Sequence, residues 1–246
     1  MKKAHHYIGT SGYSYNHWKN GVFYPKSISS NKWLEFYCGK FDSVELNVTF
    51  YRLPSIKAYK TWKEKTPRDF RFVLKGSRFI THIKRLKNCS QPLKVFFNRA
   101  VSLREKTSCV LWQLPPNFKK DPGRLLDFIR QLKRLKKIRQ AFEFRNASWF
   151  STEIFKILKD NNIALASADW PNFSKTVHDT ADFVYIRRHG TGANLYGGCY
   201  TETRLKRDAL LIKSFLKKGK DVYMYFNNDA RGYAPQNAIF LKKLLI

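Results

Sequence analysis

The sequence predicts an α/β protein: a single-domain (β/α)8, TIM-barrel-like fold over residues 1–246. Three observations point there. The chain has 246 residues, close to the ~250 of a complete eight-stranded α/β barrel. Eight short β-rich runs alternate with amphipathic stretches, the pattern of parallel strands joined by helical crossovers. No linker, low-complexity tract or obvious repeat divides the chain.

Strands are expected at 7–11, 43–50, 70–75, 109–114, 140–145, 163–168, 183–189 and 222–227, each rich in β-branched or aromatic residues. Helical patterns fall between them at 29–40, 55–65, 92–105, 122–136, 148–160, 201–217 and 233–245, with a weaker one at 174–180. Asp121 followed by Pro122 is a cap with proline in the first turn, and Ser148, with Ser151 and Glu153 after it, marks another helix start. Gly219 marks a helix stop before the last strand.

Alternate residues of a strand point to the same side. Glu45, Asn47 and Thr49 therefore share a face opposite Val44, Leu46 and Val48. Glu143 and Arg145 oppose Phe142 and Phe144, while Tyr185, Arg187 and His189 oppose Val184 and Ile186. The apolar sets must meet the helices, so the polar sets face the barrel interior, where they need partners. They gather toward the strand C-termini, the end at which such barrels carry their sites.

Hydrophobic residues make up 43% of the chain and include 20 Phe and 13 Tyr, enough for a large core and too many for a disordered chain. Lys plus Arg number 47 against 18 Asp plus Glu, a formal net charge of +29. Such a charge attracts polyanions, so nucleic acid is a candidate partner; a solvated basic surface gives the same composition. Basic runs at 132–139 and 206–220 are expected on outer helices. Cys38, Cys89, Cys109 and Cys199 form no Cys-x-x-Cys pair, and Met1–Tyr7 leads into no apolar leader segment, so free thiols and a cytoplasmic location are expected. No run reaches the ~18 apolar residues of a membrane span.

The candidate site collects at the strand ends. Glu45, Glu143 and His189 are the candidate catalytic acid/base groups. Lys75, Arg145 and Arg187 suit a phosphate or carboxylate, because a guanidinium fork matches two oxygens. Asn47, Gln113, Asn227 and Asn228 are placed to orient a ligand, with Arg52 on the rim. The alternative is a structural network in which Glu45, Lys75, Glu143 and Arg145 brace the barrel. Glu45, Glu143 and His189 have donor atoms for a cation, but Lys75 and Arg145 oppose one, and no metal or cofactor is indicated. Gly190–Gly192 and Gly197–Gly198 match neither a Walker loop nor a dinucleotide fingerprint and read as a mobile loop. Tyr15, Trp18, Phe23, Tyr24, Tyr51, Arg78, Trp149, Trp170 and Tyr233 lie near the expected mouth, where aromatics interleaved with arginine can stack bases or pack loops.

Several motifs carry a family resemblance. They are Gly9-Thr-Ser-Gly-Tyr-Ser-Tyr, Trp18, Phe23-Tyr-Pro, Val44-Glu-Leu-Asn-Val-Thr-Phe-Tyr-Arg-Leu-Pro54, Phe72-Val-Leu-Lys-Gly, Ile80-Thr-His, Leu111-Trp-Gln-Leu-Pro-Pro116 and Phe142-Glu-Phe-Arg-Asn-Ala-Ser-Trp-Phe150. Tyr185-Ile-Arg-Arg-His-Gly190, Tyr196-Gly-Gly-Cys-Tyr200 and Tyr225-Phe-Asn-Asn-Asp-Ala-Arg-Gly-Tyr-Ala234 complete the set in order. The chain resembles the YecE-like family, domain of unknown function 72. That resemblance implies a TIM-barrel-like fold and no established reaction. A distant likeness to metal-dependent barrel endonucleases has been entertained for such proteins, but this sequence lacks their His/Asp/Glu ligand set.

These readings lead to an enzyme with an anion-binding mouth, a hydrolase or lyase acting on a phosphorylated or otherwise anionic small molecule. The alternatives are a non-catalytic nucleic-acid-binding barrel using basic and aromatic loops, and a scaffold whose polar interior is only structural.

Overall fold

A computed structural model describes residues 4–133, 138–170, 176–191 and 196–246. The strands are β1 (His6–Thr10), β2 (Ser43–Leu46), β3 (Arg71–Lys75), β4 (Thr107–Gln113), β5 (Arg139–Glu143), β6 (Ala164–Leu165), β7 (Ser167–Ala168), β8 (Phe183–Arg188) and β9 (Asp221–Phe226). The helices are α1 (Trp33–Cys38), α2 (Val48–Tyr51), α3 (Ile56–Glu64), α4 (Ser90–Arg99), α5 (Pro122–Lys133), α6 (Thr152–Asp160), α7 (Glu202–Lys217) and α8 (Tyr233–Lys243).

All strand pairings are parallel, in two sheets ordered β1-β9-β8-β7 and β2-β3-β4-β5-β6. The sheets meet at two seams, giving the TIM-barrel-like arrangement. At one, β6 and β7 are halves of the single strand expected at 163–168: the first half pairs with β5 and the second with β8. At the other, Ser11 bridges Glu45 and the Gly12 amide donates to the Glu45 carbonyl at 2.8 Å. Gly9 permits this close approach, since a Cβ there would sit 2.3 Å from the Ser43 carbonyl oxygen.

The two-residue alternation separates two cores. Outward residues such as Val44, Leu46, Phe142, Val184 and Ile186 pack with the helices. Inward residues, among them Val73, Cys109, Leu111, Ala141, Tyr185 and Tyr225, form a second cluster inside the barrel. That inner plug closes the barrel below the polar residues at its C-terminal end, so it is a floor rather than a pore.

Local signals hold at several helix ends. Asp121 Oδ1 accepts from the Arg124 amide at 2.9 Å, Thr201 caps α7 through the Arg204 amide, and Gly219 follows α7 with a φ of +73°. Ser148 does not start α6. It lies in a 3-10 turn capped by Asn146, and α6 begins at Thr152 after Ser151, whose hydroxyl makes no cap bond. The β-branched run after Leu46 is not strand but the short helix α2, so Val48 is exposed rather than core-facing. Thr49 anchors that turn, its hydroxyl donating to the carbonyls of Leu46 and Lys75 at 2.9 and 2.6 Å.

Residues 176–180 are not helical, and the rest of the weak helix expected at 174–180 lies outside the described residues. Residues 134–137 of the basic run and 192–195 of the glycine loop after β8 also lie outside them. Arg139 does not belong to an outer helix. It ends the barrel's opposite face, paired with Asp221 at 2.6 Å over the Phe183 ring. No helix among the described residues is long and apolar enough to cross a membrane.

Candidate active site at the strand C-terminal mouth

Arg187, inward on β8 and fully buried, organises the mouth. Its two terminal nitrogens donate to Glu45 Oε1 and Glu143 Oε2, both at 2.7 Å, joining β2 and β5 across the barrel. Glu143 also accepts from Arg145, and Glu45 accepts from the Tyr185 hydroxyl at 2.6 Å. Each carboxylate thus uses both oxygens. Burial disfavours the charged form of Glu143, but Arg145 and Arg187 outweigh that and hold its carboxyl well below the usual range.

His189 Nε2 lies 3.2 Å from Arg145 and 3.4 Å from Arg187 guanidinium nitrogens. Burial and these cations hold its pKa well below the ordinary value, so the imidazole is neutral. Guanidinium nitrogens only donate, which makes Nε2 the acceptor and leaves the ring proton on Nδ1. Asn227 Nδ2 is placed 3.1 Å from Nδ1; a protonated Nδ1 requires this amide to be turned so that its oxygen accepts. The Asp169 carboxylate accepts from the His189 amide at 2.7 Å and from the Tyr200 hydroxyl, fixing the strand end. Trp170 covers the cluster: Arg145 stacks 3.5 Å from its ring centroid, and His189 meets it edge-on.

Lys75, at the end of β3, differs from its neighbours. It is only 7% exposed, yet its ammonium has no hydrogen bond or ion pair among the described residues. The nitrogen lies 4.5 Å from the Phe50 ring centroid. Burial, reinforced by Arg187 and only partly offset by Glu45 and Glu143, pushes its pKa down to about 7. Gly76 lets the strand end turn under the Trp112 ring, where a Cβ would sit 2.2 Å from the indole.

The structure therefore brings together Glu45, Lys75, Glu143, Arg145, Arg187, His189 and Asn227. Asn47 lies at the edge, donating to the Ser11 carbonyl at 3.2 Å, and its Oδ1 is buried without a partner. Gln113 is half-buried at the end of β4, in register with Glu143. Asn228 does not face the mouth. It alternates with Asn227 and binds the Gly198 carbonyl and Asn237 on the helix side. Arg52 is exposed after α2, outside the cluster, because the chain has already left the sheet. Of the aromatics expected near the mouth, Trp18, Tyr24 and Trp149 are buried in loop packing, whereas Tyr51 is 76% exposed. Phe50 and Tyr200 carry contacts that sequence reasoning missed. Phe50 was expected on a strand, and no local signal marks Tyr200 as a partner of Asp169.

The family described as "protein of unknown function DUF72" matches residues 7–246. The chain belongs to the DUF72 family. This DUF72 protein is 27% identical to the UPF0759 protein YunF of Bacillus subtilis, over 97% of this chain and 94% of YunF. The structure of a DUF72 family protein from Thermotoga maritima superposes with a TM-score of 0.85 at 30% identity, covering 98% of this chain and 99% of that one. A DUF72 structure from Enterococcus faecalis gives a TM-score of 0.78 at 21% identity, covering 98% and 95%, and shares the fold.

Proposed function

We propose that the mouth binds a small carboxylate or phosphate and that Lys75 exchanges a proton with it in a lyase-type reaction. One observation carries this reading: Lys75 is 7% exposed and makes no hydrogen bond or ion pair among the described residues, beside two arginines that are paired with Glu45 and Glu143. A buried ammonium in that setting is costly, and an incoming anion supplies what it lacks. Arg145, electrostatically coupled to Lys75 and 6% exposed where Arg187 is fully buried, is the second group placed to hold the anion. Hydrolysis fits less well. A base must activate water, but both carboxylates are fully engaged and the His189 lone pair is taken by guanidinium donors.

The test is calorimetric titration with sulfate, whose charge is constant over the pH range, at fixed ionic strength. Binding is expected to weaken roughly tenfold per pH unit above about pH 7.5, because the bound form needs protonated Lys75. Lys75→Met should remove it. Equal sulfate binding in both proteins would assign the anion to surface lysines and end this reading.

Exposed Tyr51 and Phe79, beside Arg52 and Arg78, favour a second reading, a stacking surface for single-stranded nucleic acid. Fluorescence anisotropy with a single-stranded probe should show binding that falls steeply with salt and is weakened by Tyr51→Ala. Absence of binding at low salt removes it.

A further inference from the structure

We propose that Lys75 is a carbonyl-capturing amine, forming an imine with the carbonyl carbon of a small anionic aldehyde or keto compound. The proposal rests on the anion-binding reading above and specifies its substrate class.

The geometry distinguishes Lys75 from every other group at the mouth. Arg145 and Arg187 are tied to Glu143 and Glu45, and guanidinium is not a nucleophile at neutral pH. His189 Nε2 already accepts two N–H donors. The Lys75 nitrogen has no hydrogen bond or ion pair among the described residues and lies on the apolar face of Phe50 at the strand end. A lysine desolvated in this way and flanked by other cations is the arrangement that frees an amine lone pair at neutral pH. The titration point near 7 agrees, leaving about half of the side chains neutral there.

The chemistry balances. The neutral Nζ lone pair forms a bond to the carbonyl carbon as the C=O π pair moves to oxygen, and one proton passes from the nitrogen to that oxygen, giving a neutral carbinolamine. That hydroxyl leaves as water after accepting a proton from solvent, and a C=N bond forms. Overall, amine, carbonyl compound and one proton give iminium and water. The iminium is cationic where Lys75 makes no ion pair among the described residues, so the carboxylate or phosphate of the substrate compensates it. This is why the substrate class must combine the two groups. The iminium acidifies the adjacent C–H bond; loss of that proton to solvent leaves its electron pair in an enamine.

The probe is pyruvate, with borohydride added to transfer hydride to the iminium carbon and fix the adduct as a secondary amine. Peptide mass mapping at pH 7 locates it. An ordinary exposed lysine is neutral in roughly 1 of 10³ molecules at that pH, so labelling is expected at Lys75 well ahead of other lysines, and added sulfate should suppress it. Lys75→Arg, which cannot form the imine, should lose the adduct. Labelling spread over surface lysines with Lys75 unmodified, in wild-type protein that still binds sulfate, would overturn the imine proposal alone. Loss of both labelling and sulfate binding in wild-type protein would overturn the anion-binding reading with it.

Discussion

Replacing Lys75 by Met should stabilise the protein, and by an amount that depends on pH. The folded pKa is about 7 against an ordinary value of 10.5. Between those values the unfolded chain holds more protons at this site than the native one, so stability rises with pH across the window. Below about pH 7 the native protein carries the full cost of a protonated, buried Lys75. At 1.36 kcal/mol per unit, the shift corresponds to about 5 kcal/mol at pH 6, falling to about 2 kcal/mol at pH 9. Methionine has a similar length, is apolar, and keeps contact with Phe50. The advantage of Lys75→Met over wild type should therefore shrink by about 3 kcal/mol from pH 6 to pH 9. Urea melts of both proteins at pH 6, 7.5 and 9 measure this, and effects of the high net charge common to both cancel in the difference. A constant difference across that range would show that Lys75 titrates normally and would refute the reasoning.

Two further predictions concern the framework. Glu143→Gln leaves the buried guanidiniums of Arg145 and Arg187 with too little negative charge and should cost about 3–5 kcal/mol. Arg145→Met should recover part of that loss in the double variant; additive losses in denaturant melts would contradict the pairing. Gly9→Ala forces a methyl against the Ser43 carbonyl at the β1–β2 seam, so a stability loss of about 1–3 kcal/mol is expected, and an unchanged thermal midpoint would contradict that packing.

The alternation of polar and apolar residues made much of the mouth legible in sequence. Glu45, Glu143, Arg187 and His189 all face inward as their strand parity requires. Parity fails where the chain leaves the sheet. Val48-Thr-Phe-Tyr51 is β-branched and aromatic and reads as strand, but Thr49 reaches the Lys75 carbonyl only when these residues turn into a helix. Tertiary hydrogen bonding thus overrode local propensity. Asn228 was grouped with Asn227 by adjacency, although neighbouring residues on a strand end point opposite ways. Partner choice was not legible either. Which carboxylate meets which cation depends on strand stagger, and the stagger places Arg187, not Lys75, between Glu45 and Glu143. That displacement leaves Lys75 without an ion pair among the described residues.

The most direct measurement is the protonation of Lys75 itself, followed by NMR of isotope-labelled lysine side chains and assigned with Lys75→Met. Without added anion, one lysine should titrate near pH 7 and vanish in the variant. With saturating sulfate, the same signal should titrate at higher pH, because an anion that needs the ammonium form must in turn favour it. A Lys75 signal titrating near 10.5, or one unmoved by sulfate, would contradict an anion-binding mouth centred on this residue.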